Sequence, residues 1–283
     1  MKKFDIQLFA GHTLYDNFVL ERKMTDIVNT ALDVKSLMTI DTSLVESAGM
    51  KKTINKYTYT PNVEKLGQGA KNGTKGKVAF EGEDYTVNRY QETFEYNDME
   101  IMKDPYMLDV ATTGAATGMA NEIKKEYFAE LAKISNEANY PAEGLTYDAI
   151  VDALATIDQE VETGMFVIMN NVQRSQIRKD PDFKASLSGE ILYTGQFGTI
   201  AGLPVLFSKL VPADTVYITT KDAVKFFVKT EGRVEQDHNV ETKANTVVYD
   251  RFGVVALVDE TKSLKLTKTS PMGYAEKGTK KAK

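Results

Sequence analysis

The sequence predicts an α+β fold in which a long β-ribbon, one long helix and a mixed α/β region follow one another. Three observations support this fold class. Aromatic and polar residues alternate within 51–96, apolar residues recur every three to four positions within 98–136, and strand and helix signals alternate within 141–244. With 283 residues, 42% of them hydrophobic, the chain can form one large domain or two modest ones.

Residues 1–50 are predicted to form an N-terminal arm, extended and with only weak helical patches. The first residues, MKKFDIQLFAGHT, place two lysines before an apolar patch, as a signal peptide does. The patch is too short for a signal peptide, however, and Asp5 interrupts it. We therefore expect an arm that docks on another surface.

Residues 51–96 are predicted to form a two-stranded ribbon. Tyr57 and Tyr59 share one strand face, and Tyr85 and Arg89 lie on alternating positions of the second strand. The tip between the strands is rich in glycine and carries four lysines: Lys65, Lys71, Lys75 and Lys77. An isolated two-stranded ribbon is marginally stable in water. The ribbon therefore requires a partner surface.

Residues 97–140 are predicted to contain a helix of about thirty residues, roughly 45 Å long. Asp98 can cap a first turn, and Asp104-Pro105 can begin the longer segment. Gly114 and Gly118 lie four residues apart, a spacing that predicts close packing against another backbone, here a strand from 245–268. A bulky residue at position 118 would then overpack that contact.

Residues 141–244 are predicted to form a compact α/β region, with Thr146 capping a helix, a buried strand at 165–169 and a turn at Glu231-Gly232. Residues 245–268 read as β-strands that return beside the long helix. Residues 269–283 read as a flexible basic tail.

No pattern in the sequence predicts a catalytic, cofactor or metal site. The chain has no cysteine, and its two histidines, His12 and His238, lie far apart. Gly198 and Gly202 lack the lysine and the helix start that phosphate binding requires, and the glycines of the ribbon tip do not fit a Walker loop. A net charge of −5 disfavours tight non-specific DNA binding, and no apolar run approaches the ~20 residues of a membrane span. We expect a soluble protein without catalytic turnover.

Several segments together resemble major capsid proteins of tailed phages, which share the HK97 fold. The resemblance spans about residues 20–268 and is carried by AGLPVLFSKLVPADTVYI, NEIKKEYFAEL, MFVIMNNVQRSQIRK and VVYDRFGVVALVDETKSLKL, in the family's order. FDIQLFA also looks like the start of structural proteins from phages of Gram-positive hosts. No single motif is specific; the ordered set is.

The resemblance implies a domain plan. Residues 51–96 would be the E-loop, 97–140 the spine helix of the peripheral (P) domain, 141–244 the axial (A) domain and 245–268 the return strands of the P-domain. Subunits of this family assemble in the host cytoplasm into pentamers and hexamers of an icosahedral head that encloses double-stranded DNA. The resemblance also implies a portal protein and non-specific DNA contact. Only about fifty residues precede the E-loop, so either this is the mature form or a separate scaffolding protein exists.

The inter-subunit contact expected from this plan joins the ribbon to the P-domain of a neighbour. On the ribbon it would use Tyr57, Tyr59, Lys65, Lys71, Lys75, Lys77, Tyr85 and Arg89, and on the P-domain Glu122, Glu126 and Asp250. Two other interpretations remain open. An encapsulin-type compartment housing an enzyme cargo would need an amphipathic N-terminal helix, and residues 1–30 show no sustained helical period. An α/β enzyme centred on 141–244 would leave the arm and the ribbon unexplained.

Overall fold

The computed structural model describes residues 17–30, 34–104, 106–157, 164–181 and 199–269. The chain forms two compact units: Met1–Glu130 with Val224–Asp259 make unit 1, and Leu131–Ala223 with Glu260–Lys283 make unit 2. In chain order the elements are α1 Asn17–Thr30, α2 Val34–Leu37, β1 Thr39–Asp41, β2 Lys51–Thr60, β3 Lys77–Thr86, β4 Asn88–Asn97, α3 Asp98–Lys103, α4 Met107–Leu131, β5 Glu137–Tyr140, α5 Tyr147–Ala155, β6 Met165–Met169, α6 Asn171–Lys179, β7 Thr199–Ile200, β8 Leu203–Phe207, β9 Thr215–Thr220, β10 Val224–Asn239, β11 Ala244–Leu257 and β12 Leu264–Lys268.

A four-stranded sheet of order β1-β10-β11-β4 forms the centre of unit 1. Strands β10 and β11 pair from Val224↔Leu257 to Asn239↔Ala244. The turn predicted at Glu231-Gly232 is wrong, because β10 continues through it with register shifts between Val228 and Arg233. Gly232 permits this path, since a Cβ there would lie 2.6 Å from Cζ of the buried Tyr249 ring.

The predicted ribbon is shorter than expected. Strands β2 and β3 form a separate two-stranded hairpin, with register running from Lys51↔Thr86 to Thr60↔Lys77. The chain then turns into β4, which pairs with β11 instead of extending the hairpin. At the hairpin base, Ile54 and Tyr85 are buried in a cluster with Leu44, Phe227, Val254 and others of unit 1. This apolar contact anchors the hairpin base on unit 1.

Residues 17–30 of the expected extended arm are a helix. Leu20, Met24 and Val28 recur every four residues along α1 and are all buried. The Thr25 hydroxyl lies 3.3 Å from that of Tyr249 on β11. The helical segment therefore packs onto unit 1; residues 1–16 lie outside the described residues.

The short first helix and the longer second helix predicted within 98–136 are confirmed as α3 and α4, although α4 ends at Leu131, before the predicted end. The cap predicted at Asp98 is wrong, because the N-cap is the preceding residue. Asn97 caps α3 in a capping box, in which it accepts from the Met99 amide while Glu100 accepts from the Asn97 amide. The predicted apolar stripe of α4 is confirmed, with Met119, Ile123 and Tyr127 among its buried members. The backbone contact predicted at Gly114 and Gly118 is wrong, because a Cβ at either position would meet no atom within 4 Å beyond the adjacent backbone of its own helix.

Unit 2 is built on a six-stranded sheet of order β5-β12-β9-β6-β8-β7. Its core gathers side chains from this sheet and from α5 and α6, including Ile150, Met169 and Ile177. The unit boundaries differ from the predicted divisions at 141–244 and 245–268. Strand β10 stays with unit 1 because it pairs with β11, and β12 joins unit 2 because it pairs with β5 and β9.

Candidate inter-subunit surface

The distal half of the β2–β3 hairpin presents an exposed apolar face. Tyr57 pairs across the strands with Phe80, and Tyr59 with Val78, so the four side chains share one face. They are 68%, 70%, 61% and 66% exposed, respectively, and the rings of Tyr57 and Phe80 lie 6.3 Å apart. Monomeric proteins seldom leave such a contiguous patch uncovered. The geometry therefore matches the sequence prediction that this ribbon requires a partner.

The tip of the hairpin carries the cationic charge. Lys65, Lys71, Lys75 and Lys77 are all exposed, and none forms an ion pair with another described residue. The one carboxylate between residues 61 and 77 is Glu64, and it accepts hydrogen bonds from backbone amides of the loop. All four ammonium groups thus remain available to an external anion.

A groove of about 550 Å³ runs between β4 and α4. It is lined by Asn88, Arg89, Tyr90, Gln91, Glu92, Gly118, Met119, Glu122 and Glu126. Strand β4 is an edge strand of the four-stranded sheet, so the groove lies where backbone donors and acceptors are open to pairing. Three of the lining side chains are carboxylates, which suits a cationic partner.

The carboxylates of the groove differ in how they are engaged. Glu126 accepts from the Tyr90 hydroxyl at 2.5 Å and from Nδ2 of Asn88 at 3.3 Å. Burial of Tyr90, together with its hydrogen bond to Glu126 and that carboxylate's charge, raises the pKa of the phenol far above its usual value. Glu122 accepts a hydrogen bond from Nζ of Lys125 at 2.6 Å, and this ion pair joins two exposed residues three positions apart on the helix. Such an exposed pair is weak and can exchange partners.

Three of the predicted contact residues are buried or form ion pairs within the subunit. Tyr85 is 6% exposed and belongs to the core beneath the hairpin. The Asp250 side chain is 4% exposed and is held by Arg89 at 2.9 Å and by Arg233 at 3.5 Å. Tyr85 and Asp250 therefore offer no free surface to a neighbour, and Arg89 offers only the half of its side chain that remains exposed.

The structure thus joins Tyr57 and Tyr59 to two residues that the sequence reasoning missed, Val78 and Phe80. Their signal was present, because continuing the hairpin register places them opposite the two tyrosines. Glu92, which lines the groove beside Glu122 and Glu126, was also missed. The alternating pattern of β4 places Glu92 on a strand. Its proximity to α4 depends on tertiary packing, which the sequence does not show.

Neither metal chemistry nor membrane insertion is indicated by the described part of the chain. Within it, no group of three or more acidic or histidine side chains is arranged to hold a metal ion. No helix among the described residues is both long and apolar enough to cross a bilayer.

Comparison with known proteins identifies the family of this chain. A family model described as "Phage capsid protein" matches residues 81–266, from β3 through most of β12. The chain belongs to the phage capsid protein family. Its sequence is also 22% identical over 279 residues to the major capsid protein of Staphylococcus phage phiMR11, covering 92% of this chain and 97% of that one. This capsid protein is structural and non-enzymatic, and copies of it form the shell of the phage head.

Solved structures confirm the HK97-like fold of this capsid protein. A chain of Mycobacterium phage Che8 matches with a TM-score of 0.64 at 15% identity, over 82% of this chain and 90% of that one. A virus-like particle from Pyrococcus furiosus matches with a TM-score of 0.60 at 11% identity, over 88% and 98% of the two chains. These likenesses concern the fold alone. The encapsulin alternative is disfavoured by the family match and not by the N-terminus, because the helical period thought to be missing from residues 1–30 is present in α1.

Proposed function

We propose that the β2–β3 hairpin is the E-loop of this capsid protein and that it lies across the P-domain of the adjacent subunit in the same capsomer. The observation that carries the proposal is the uncovered apolar face of Tyr57, Tyr59, Val78 and Phe80. Because copies of this protein form a shell, a second copy is a partner that is always present in the assembly. The lysines of the tip would then meet the groove between β4 and α4, with Glu92, Glu122 and Glu126 as counter-charges.

The magnitudes assign different roles to the two parts of the hairpin. Complete burial of a large apolar side chain contributes about 1.5–3 kcal/mol. An exposed ion pair contributes only about 0.2–1 kcal/mol and weakens as salt is added. The apolar face therefore supplies most of the affinity, and the lysines set the register of docking and its dependence on ionic strength.

The remaining assignments follow the same plan. Helix α4 is the spine helix, the sheet containing β4, β10 and β11 belongs to the P-domain, and unit 2 is the A-domain. Subunits form pentamers and hexamers of an icosahedral head around double-stranded DNA, with a portal protein and a separate scaffolding protein. The net charge of −5 suits a container from which packed DNA must later be released.

Deletion of residues 66–77, with a short turn joining the strands, tests the docking role. The variant should remain folded, because the apolar anchor at the hairpin base is untouched. Its capsomers should be much less stable than those of the parent when followed by light scattering and negative-stain microscopy, because the apolar face remains but the loop that sets its register is gone. The matched control replaces only the four tip lysines by glutamine, and its assembly should weaken without being abolished. Normal shells from the deletion variant would show that the hairpin tip has no part in assembly.

A further inference from the structure

One carboxylate closes the loop between β2 and β3 well below its tip. Oε2 of Glu64 accepts from the Gly73 amide at 2.9 Å, and Oε1 accepts from the Thr74 amide at 3.2 Å. Oε1 also accepts from Nδ2 of Asn62 at 3.4 Å. Both oxygens thus bind successive backbone amides across the loop, and we call this arrangement the Glu64 clasp.

The clasp divides the loop into an outer part, residues 65–72, and a neck next to strands β2 and β3. Inside it, the Ala70 amide donates to the Gly67 carbonyl at 3.1 Å, and Gly69 takes a φ of +83° that favours glycine. At the neck, a Cβ on Gly76 would lie 2.7 Å from the Tyr59 hydroxyl and 3.2 Å from the Thr60 carbonyl. Hydrogen bonds and close packing therefore constrain the backbone of the glycine-rich loop.

We propose that Glu64 is a positioning residue that preforms the lysine-bearing loop, so that the loop docks as an ordered cationic surface on a carboxylate-bearing face of a second copy. The inference rests on the proposed E-loop function and adds the means by which the loop is held. A loop ordered before contact loses less conformational entropy on binding than a mobile one.

The donors that Glu64 binds leave the lysines of the loop free. Glu64 uses backbone amides and not the ammonium groups of Lys65, Lys71 or Lys75, none of which forms an ion pair with a described residue. The hydrogen bond from the Gly73 amide, reinforced by that from Thr74, lowers the pKa of Glu64 below its ordinary value of 4.5. The carboxylate is therefore ionised at neutral pH, and the clasp is lost only as pH falls through that lowered pKa.

Glu64→Gln tests the clasp, with Glu81→Gln as the matched control. Glutamine keeps the shape, but its amide nitrogen cannot accept a hydrogen bond, so one of the two backbone amides is released. Glu81 is exposed on β3, and its replacement makes the same change of charge. In unassembled subunits, hydrogen exchange at Gly73 and Thr74 should be about fivefold faster in Glu64→Gln. Tryptic cleavage after Lys71 should also accelerate, and Glu81→Gln should change neither rate.

Assembly of the same two variants gives a second measurement. The change that the proposal predicts in it is opposite to the change expected from charge alone. Both substitutions make the hairpin more cationic, which by charge alone would favour an acidic partner. The proposal predicts instead that Glu64→Gln raises the critical concentration for assembly above that of Glu81→Gln. Unchanged exchange in Glu64→Gln would overturn the clasp. Faster exchange with assembly equal to the control would overturn its role in docking, while the E-loop function would still be judged by the deletion variant.

Discussion

Two glycines of unit 1 have opposite surroundings. A Cβ on Gly253 of β11 would lie 2.6 Å from Cζ of the buried Phe226 and 2.9 Å from the Phe227 carbonyl oxygen. A Cβ on Gly118 of α4 would meet nothing within 4 Å. Because the neighbours of Gly253 include backbone, they cannot give way cheaply. Glycine is thus required at 253 by packing, whereas at 118 the subunit has room for a side chain.

We expect Gly253→Ala to lower the free energy of unfolding of unassembled subunits by about 1–3 kcal/mol, as overpacking of a closed core does. Gly118→Ala should raise it by about 0.5–1 kcal/mol, because alanine favours the helix over glycine. Denaturant unfolding of the two variants beside the parent measures both effects. Equal stabilities would contradict the packing described around Phe226.

Individual residues also show where sequence reasoning ends. The pattern of residues 245–257 predicts a strand but says nothing of its neighbours. Asp250 appeared free for an inter-subunit pair, yet the register of β11 with β4 and β10 brings Arg89 and Arg233 onto its carboxylate. Register between strands distant in sequence depends on tertiary packing, and a single sequence does not record it.

At the scale of elements, the β2–β3 hairpin has two faces with different expected roles. The double variant Tyr57→Ser/Phe80→Ser removes an exposed cross-strand pair, which should cost the isolated subunit only about 0.2–1 kcal/mol. Its assembly should be severely impaired, because the same side chains are the ones a second copy would bury. Sedimentation velocity of the variant under assembly conditions measures this loss.

The control for that variant lies on the opposite face of the same hairpin. Thr58 pairs with Ala79 there, and both are exposed. Thr58→Ser/Ala79→Ser should assemble as the parent does. Equal assembly of the two double variants would contradict the assignment of the apolar face as the docking face.

Elements with a strong local pattern were predicted well, and those that depend on distant pairing were not. The stripe of α4 and the Thr146 cap of α5 follow from local spacing and are confirmed. Strand β4 was assigned to the ribbon because alternation identifies a strand without its partner, and β11 proved to be that partner. The apolar period of α1 at Leu20, Met24 and Val28 stands among polar neighbours, and the pattern of the segment as a whole therefore predicts only weak helical patches.

At the scale of the whole molecule, the chain passes between the two units three times. Unit 1 takes its central strands β10 and β11 from beyond residue 223, and unit 2 takes β12 from beyond residue 259. The sequence predicted continuous divisions at 141–244 and 245–268, whereas each unit combines two separate segments of the chain. A change of composition can mark a linker. A unit built from two separate segments of the chain leaves no such mark in the sequence.

This threading has a consequence for the protein as it leaves the ribosome. The β2–β3 hairpin is local and emerges early, but the sheet that anchors it needs β10 and β11, and β5 can pair only when β12 has been made. We expect nascent chains arrested before Val224 to be digested rapidly by protease, and chains extended beyond Lys268 to be resistant. Protection of α4 in the shorter chains would refute this order. Translation itself would then delay the docking surface until nearly every described element exists, so that growing chains on one messenger do not polymerise.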